Sequence, residues 1–237
     1  MSANVKTDFA PEQDTDTYII VAAYNEECTI FQIINKLRSY YSNVVVVDDG
    51  SRDNTASLAL KGGGTVLRHV TNRGQGAALQ TGICYALEMG AVYIVTFDAD
   101  GQHQVEDIES LLRPLIHDQA DAVLGSRFLE PTSDVPSGRR LLLKAGILFT
   151  RLVTGIQLSD SHNGMRAFNR KAASQLNIQM DRMAHASEIV EQLHRARLRI
   201  VERPVKVVYT DYSLKKGQSS KGALIILLDL LFGKLLK

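Results

Sequence analysis

Short apolar runs recur along the first half of the chain, and each is followed by a stretch with helical spacing. The runs are Tyr18–Ala22, Val44–Val47, Thr65–His69, Tyr93–Phe97 and Ala122–Leu124. The stretches between them predict helices over Glu26–Ser39, Asp53–Leu60, Gly76–Met89 and Glu106–His117. The valines at 44–47 are unbroken by polar residues, as expected of a parallel strand covered on both faces. Strand–helix alternation of this kind predicts an α/β domain with a mostly parallel sheet and right-handed crossovers. The pattern loosens after Gly125: Leu129–Gly138 reads as a loop, and HASEIVEQL, with Glu188, reads as a helix. Neither repeats nor low-complexity tracts interrupt the sequence. The expected organisation is a flexible polar leader at 1–16, one catalytic domain at 17–222 and an apolar C-terminal helix at 223–237.

Composition narrows this picture. A hydrophobic fraction of 45% excludes general disorder. With 27 Lys+Arg against 26 Asp+Glu there is no basic excess, which argues against a nucleic-acid partner. Cys28 and Cys84 are too isolated for a disulfide framework or a zinc site, so a reducing, cytoplasmic setting is expected. The leader lacks the apolar core of a signal peptide. The C-terminal ALIILLDLLFGKLLK falls short of the roughly 20 apolar residues that cross a bilayer, and Asp229, Gly233 and Lys234 interrupt it. In Arg139–Leu152, by contrast, Arg140, Lys144 and Arg151 fall within about 40° of one another on a helical wheel, beside a leucine-rich sector. A basic amphipathic helix seeks a membrane surface, or else it simply packs on the core. With the apolar C-terminus, it predicts peripheral attachment to the cytoplasmic face of a membrane.

Chemistry is concentrated at the strand ends. In an open α/β sheet, ligands collect beyond the carboxyl ends of the strands, and four successive ends carry polar clusters: AYNEE, DDGSRDNT, NRGQG and DADGQH. Asp48 and Asp49 end an apolar strand, where they could shape a turn and helix cap or accept hydrogen bonds from a ribose or base edge. Asp98 and Asp100 flank Ala99. Residues two apart in an extended run point the same way, so both carboxylates can converge on one point. A divalent cation relieves such repulsion, and hard oxygen ligands favour Mg²⁺ or Mn²⁺ completed by substrate phosphates. Gln102 or His103 could add a ligand. Gly74 and Gly76 allow a close backbone approach to a ligand or a helix, without completing a dinucleotide fingerprint.

The segments VAAYNEE, VVVVDDGSRDNT, NRGQGAALQTG, FDADGQH, AVLGSR and DSHNGMRAF, in this order, resemble the family-2 inverting glycosyltransferases. The similarity is greatest to the dolichol-phosphate mannose synthase-like and bacterial polyprenyl-phosphate branch. The resemblance implies a glycosyltransferase A-type fold and a nucleotide-diphosphate-sugar donor, UDP- or GDP-linked. It implies that Ala23, Tyr24, Glu26 and Asp49 line the nucleotide site. It further implies that Asp98, Asp100 and Gln102 hold the metal on the donor pyrophosphate, and that Arg127 of the GSR motif lies near sugar or phosphates. Ala23 stands where the family often has proline. Arg139 falls where a phosphate-binding arginine is expected, but Leu143 replaces the serine expected four residues later. The processive Q-x-x-R-W motif is absent, as is any tryptophan.

In DSHNGMRAF, which precedes a new helix, Arg166 suits a phosphate, or it ion-pairs with Asp160. His162 reads as structural. Glu188 either orients an acceptor or faces solvent. TDYSLKKGQSSKG is a surface linker or, by the resemblance, a loop over the diphosphate with Lys216 and Ser219 near the phosphates. The favoured reading is a membrane-associated sugar transferase with a polyprenyl phosphate acceptor. Rivals are transfer to a glycan hydroxyl, a sugar nucleotidyltransferase and a non-catalytic nucleotide-sugar-binding subunit. A homo-oligomer is compatible with all of them.

Overall fold

The structure, a computed structural model, describes residues 15–130, 147, 156–160, 162–180 and 184–209. Seven strands form one sheet: β1 (Thr17–Ala23), β2 (Asn43–Asp48), β3 (Thr65–Arg68), β4 (Tyr93–Asp98), β5 (Ala122–Ser126), β6 (Arg166–Asn169) and β7 (Ile200–Pro204). The helices are α1 (Ile30–Arg38), α2 (Thr55–Lys61), α3 (Gln75–Glu88), α4 (Asp107–Ile116), α5 (Arg170–Ala173) and α6 (Ala184–Arg195). The strand order is β3-β2-β1-β4-β6-β5-β7, and the sheet is mostly parallel; only β6 runs against its neighbours β4 and β5. This is the α/β architecture predicted from the alternation.

The inner strands β1, β2, β4 and β5 are mostly apolar because both of their faces are covered. Ile19, Val21, Val44, Val46, Val95 and Phe97 pack under α1 and α4, which contribute Ile30, Ile34, Leu37, Ile108, Leu111 and Leu115 at helical spacing. Tyr18, Ile20, Val45 and Ile94 face the other way, onto Leu79 and Ile83 of α3 and Ile189 and Leu193 of α6. Gly82 lets α3 lie flat on the sheet, since a Cβ there would collide with the Ile20 side chain.

Two sequence expectations need correction. The first helix begins at Ile30 rather than Glu26. Asn25 adopts φ 52°, and the N–H groups of Asn25, Glu26 and Glu27 are taken by Ser51, Thr55 and Asp53, which holds the chain out of the helix. The second half also contains two strands, β6 and β7, that periodicity does not reveal. Apart from Ile147, which is helical, the basic helix expected over Arg139–Leu152 lies outside the described residues, as do the apolar C-terminal helix at 223–237 and Arg139, Lys216 and Ser219. Among the described residues, no helix is long and apolar enough to cross a membrane.

Candidate active site

The four polar clusters interlock at the carboxyl edge of the sheet. The loop after β1 is pinned to the loop after β2: Asn25 N donates to Ser51 Oγ (2.9 Å), Glu26 N to Thr55 Oγ1 (2.8 Å), and Arg52 N to Asn25 Oδ1 (2.9 Å). The adjacent carboxylates tie the second cluster to the third. Asp48 accepts from Ser51 N (3.0 Å) and pairs with Arg68 Nε (3.0 Å). Asp49 meets His69 Nδ1 at 2.7 Å and accepts from Arg73 N at 2.9 Å and Gly74 N at 2.7 Å. The Ala23 carbonyl accepts from Asp49 N (2.8 Å), so Ala23 contributes backbone alone to this clasp. Gly50, at φ 74°, must be glycine: a Cβ there would sit 2.8 Å from Asn72 N. Gly74, at φ 93°, delivers the chain into α3.

Between these loops lies a cleft of about 530 Å³, bounded by Tyr24 after β1, Gly50–Arg52 after β2 and Arg68–Asn72 after β3. Tyr24 keeps 38% of its surface exposed there, while Glu26 beside it is buried. Of the wall residues, sequence reasoning assigned Tyr24 a site role and placed Asn72 in the NRGQG cluster, while Arg68 and His69 went unassigned. Arg68 and His69 end the β3 run, and their position after an apolar strand was the available signal.

The β4 end carries the acidic pair. Gln75 Nε2, from the first turn of α3, donates to Asp98 Oδ1 (3.0 Å), and His103 Nε2 lies 3.1 Å from Asp98 Oδ2. The His103 ring also stands edge-on to Phe97, with centroids 5.7 Å apart. Burial opposes ionisation of Asp98, but the His103 hydrogen bond and the charges of His103, Arg166 and His185 hold its carboxyl below the usual range. Asp100 goes the other way. Burial, and then the Asp98 charge, raise it to about 6, against the Gln102 N–H that donates to its Oδ1 at 3.0 Å. Gln102 is buried, and its carbonyl accepts from Val208 N (2.9 Å). Gly164 packs directly on the Asp98 carboxylate, leaving no room for a Cβ. Among the described residues no three His, Cys, Asp or Glu side chains gather as a metal cage. The local donor set is two hard carboxylates, which suits an ion completed by substrate oxygens.

On the far side of β4, Arg127 and Asp160 form a buried pair: Arg127 Nε donates to Asp160 Oδ2 at 2.6 Å, and Nη1 donates to the Tyr209 hydroxyl at 3.3 Å. Burial works against the Arg127 charge, but Asp160 outweighs it and holds the guanidinium above its usual range. Asp160 is thus the partner of Arg127, which corrects the alternative that would pair it with Arg166. Arg166 is itself buried, and its Nη1 has no hydrogen-bond partner among the described residues. Burial lowers it to about 10, with Asp98 and Asp160 opposing, so it stays charged at neutral pH. Burial likewise lowers His162. Glu202 of β7 accepts from Ser159 N (2.9 Å), Ser159 Oγ (2.8 Å) and Asp160 N (3.2 Å), fixing the loop before β6. Glu188, read in the sequence as acceptor-facing or solvent-facing, instead accepts from Gln179 N (3.1 Å) and Met180 N (2.8 Å) and holds that segment to α6.

Comparison with known proteins supplies the family and agrees with the fold. The model of glycosyl transferase family 2 matches residues 18–176. A UDP-N-acetylglucosamine–dolichyl-phosphate N-acetylglucosaminyltransferase of Methanococcus voltae is 34% identical over 84% of this chain and 88% of its own length. An undecaprenyl-phosphate mannosyltransferase of Micrococcus luteus is 32% identical over 80% of this chain and 82% of its own. Among solved structures, glucosyl-3-phosphoglycerate synthase from Mycobacterium tuberculosis, in complex with Mn²⁺, UDP and phosphoglyceric acid, superposes with a TM-score of 0.69. It is 18% identical, covering 90% of this chain and 77% of that one, and shares the fold.

Proposed function

The chain belongs to glycosyl transferase family 2, and from that premise we propose that it transfers a sugar, with inversion, from a UDP- or GDP-sugar to a polyprenyl phosphate at a membrane surface. The observation that carries the reading is the Asp98–Asp100 pair beside a nucleotide-sized cleft, with Asp100 raised to about 6 by burial and by its neighbour. Relatives that act on dolichyl and undecaprenyl phosphates support the acceptor class.

In this reading the base and ribose occupy the cleft against Tyr24, with Glu26 and the Asp49-braced loop shaping its floor. Gly74 gives the backbone close access to the diphosphate. Asp98 and Asp100, with Gln102, would hold Mg²⁺ or Mn²⁺, which would supply positive charge for the departing diphosphate. Gln75, His103 and Gly164 fix the direction of the Asp98 carboxylate. Lys216 and Ser219 close over the phosphates, Arg127 lies near the sugar or phosphates, and Arg139 meets the acceptor phosphate. A phosphate monoester has a second pKa near 6 (approximately), so it is largely ionised at pH 7 and attacks without a general base. Its oxygen forms the new bond to the anomeric carbon as the bond to the nucleoside diphosphate breaks, and no proton has to move.

The test is a panel of UDP- and GDP-sugars with Mg²⁺ or Mn²⁺, followed for nucleoside diphosphate release and sugar-lipid formation with a short polyprenyl phosphate. One nucleotide sugar should give both products in equal amounts, and excess chelator should stop the reaction. Undiminished turnover in chelator rejects the metal. Transfer only to glycan hydroxyls rejects the acceptor.

A further inference from the structure

We propose that the Asn163 amide is the specificity-determining donor of the acceptor site, where it and Arg166 receive the phosphate of the acceptor on the side of Asp98 away from the nucleotide cleft. The assignment rests on the phosphate-acceptor reading above. Asn163 and Arg166 are each 2% exposed, yet among the described residues Asn163 Nδ2 and Arg166 Nη1 make no hydrogen bond. Buried donors are almost always satisfied, and one left open in a native fold calls for an explanation such as an absent ligand. Two lie three residues apart, on either side of Gly164, whose missing side chain makes room for the Asp98 carboxylate.

The amide's orientation follows from its surroundings. Met165 N donates to Asn163 Oδ1 at 2.9 Å, and a backbone N–H can only donate, so the atom facing it is the oxygen and the NH₂ is the open end. The loop around it is firmly held. Thr96 Oγ1 donates to the Gly164 carbonyl (2.7 Å), and Gly125 N donates to the Met165 carbonyl (2.9 Å). The open donors are therefore preorganised rather than free to find other partners.

Strand order supplies the side. The nucleotide cleft lies at the ends of β1, β2 and β3, Asp98 ends β4, and β6 with its leading loop lies beyond β4. A ligand on Asn163 and Arg166 thus meets Asp98 from the opposite side to the nucleotide, as an attacking group must in a displacement with inversion. Its chemistry follows from the donors. An amide NH₂ and a guanidinium only donate, so the ligand must bring acceptor oxygens, and an ionised phosphate brings several. The nearby Arg127 is already neutralised by Asp160, whereas Arg166 has no ion pair within the described residues.

Asn163→Asp tests the proposal, because it keeps the oxygen that Met165 N requires while replacing the donor with a negative charge. Wild type and variant, as the full chain, are titrated by calorimetry with a short-chain polyprenyl phosphate and, separately, with nucleoside diphosphate and Mn²⁺. The variant should lose about tenfold or more in acceptor affinity, with nucleotide affinity within about twofold of wild type. Unchanged acceptor affinity, or equal losses for both ligands, overturns the assignment. If Asn163→Asp does not melt cooperatively, Asn163→Ala is judged by the same ratio. A wild-type protein that binds nucleotide but no polyprenyl phosphate overturns the acceptor class itself, an outcome visible without any variant.

Discussion

At the residue scale, Asp100 shows how this site trades stability for chemistry. Its folded carboxyl is raised to about 6, against about 3.9 in an unfolded chain. Above pH 6 it is ionised in both states, and the folded protein bears the full penalty of the buried charge beside Asp98. As pH falls from about 6 toward 4, the folded state takes up the proton first, and the metal-free protein gains stability. Asp100→Asn removes the penalty, so in chelator at pH 7.5 it should be more stable than wild type by on the order of 2 kcal/mol, while losing most transfer activity. Thermal melts at pH 7.5 and pH 5, with turnover assays alongside, check this. A variant less stable than wild type in chelator would contradict the account. Gly164→Ala makes the complementary test. Its Cβ falls on the Asp98 carboxylate, so the acid must swing away from His103 and Gln75. Overpacking of this kind costs about 1–3 kcal/mol. Nucleotide affinity measured with Mn²⁺ should fall much further than affinity measured without it; equal effects would show that Asp98 had not been displaced.

At the element scale, the loops are braced by long-range polar contacts rather than by their own local structure. The loop before β6 hangs on Glu202 of β7 at one end and on the Arg127–Asp160 pair in the middle. Both partners of that pair are buried, with side chains 7% and 0% exposed. Asp160→Asn leaves the guanidinium without its counter-charge, and breaking a buried pair in this way costs about 3–5 kcal/mol. Denaturant unfolding should therefore show a lower midpoint at unchanged slope. Arg127→Met combined with Asp160→Leu should recover part of the loss, since the orphaned charge is gone, yet stay inactive. The clasp of Asp49 on His69, Arg73 and Gly74 is the same device between β2 and β3. It ties the loop after β2 to the chain after β3 even though β3 is only four residues long.

At the scale of the whole molecule, the distribution of chemistry bears on where the protein works. The cleft, the acidic pair and the open donors of Asn163 and Arg166 all lie along one edge of the sheet, so the proposed lipid acceptor would be met edge-on. In the proposed membrane setting, the basic, leucine-rich segment at 139–152 and the apolar run at 224–237 are the two stretches of the sequence suited to a bilayer surface. The protein should float with anionic vesicles at low ionic strength and be partly released by about 1 M salt, where the screening length falls to about 3 Å. Removing 224–237 should weaken the attachment further. Complete recovery in the unbound fraction at low salt would argue against it.

The sequence by itself determined what local patterning can encode. Continuous apolar strands followed by amphipathic helices specified the βα half from β1 to α4, because each element's period is written within a few neighbouring residues. The acidic pair was legible as two carboxylates at the end of an apolar strand, but the extended run expected through both is not there: β4 stops at Asp98 and Asp100 lies in the turn that follows, so strand alternation does not set its direction. The later half was not legible. β6 is four residues long and runs straight into α5, and its antiparallel place between β4 and β5 depends on partners far away in the chain. Side-chain pairing was equally hidden. Asp160 chose Arg127, 33 positions away, over Arg166 six positions away, because strand order brings the end of β5 against that loop. Only the tertiary structure could decide which arginine is neutralised and which is left buried with an open donor beside Asp98.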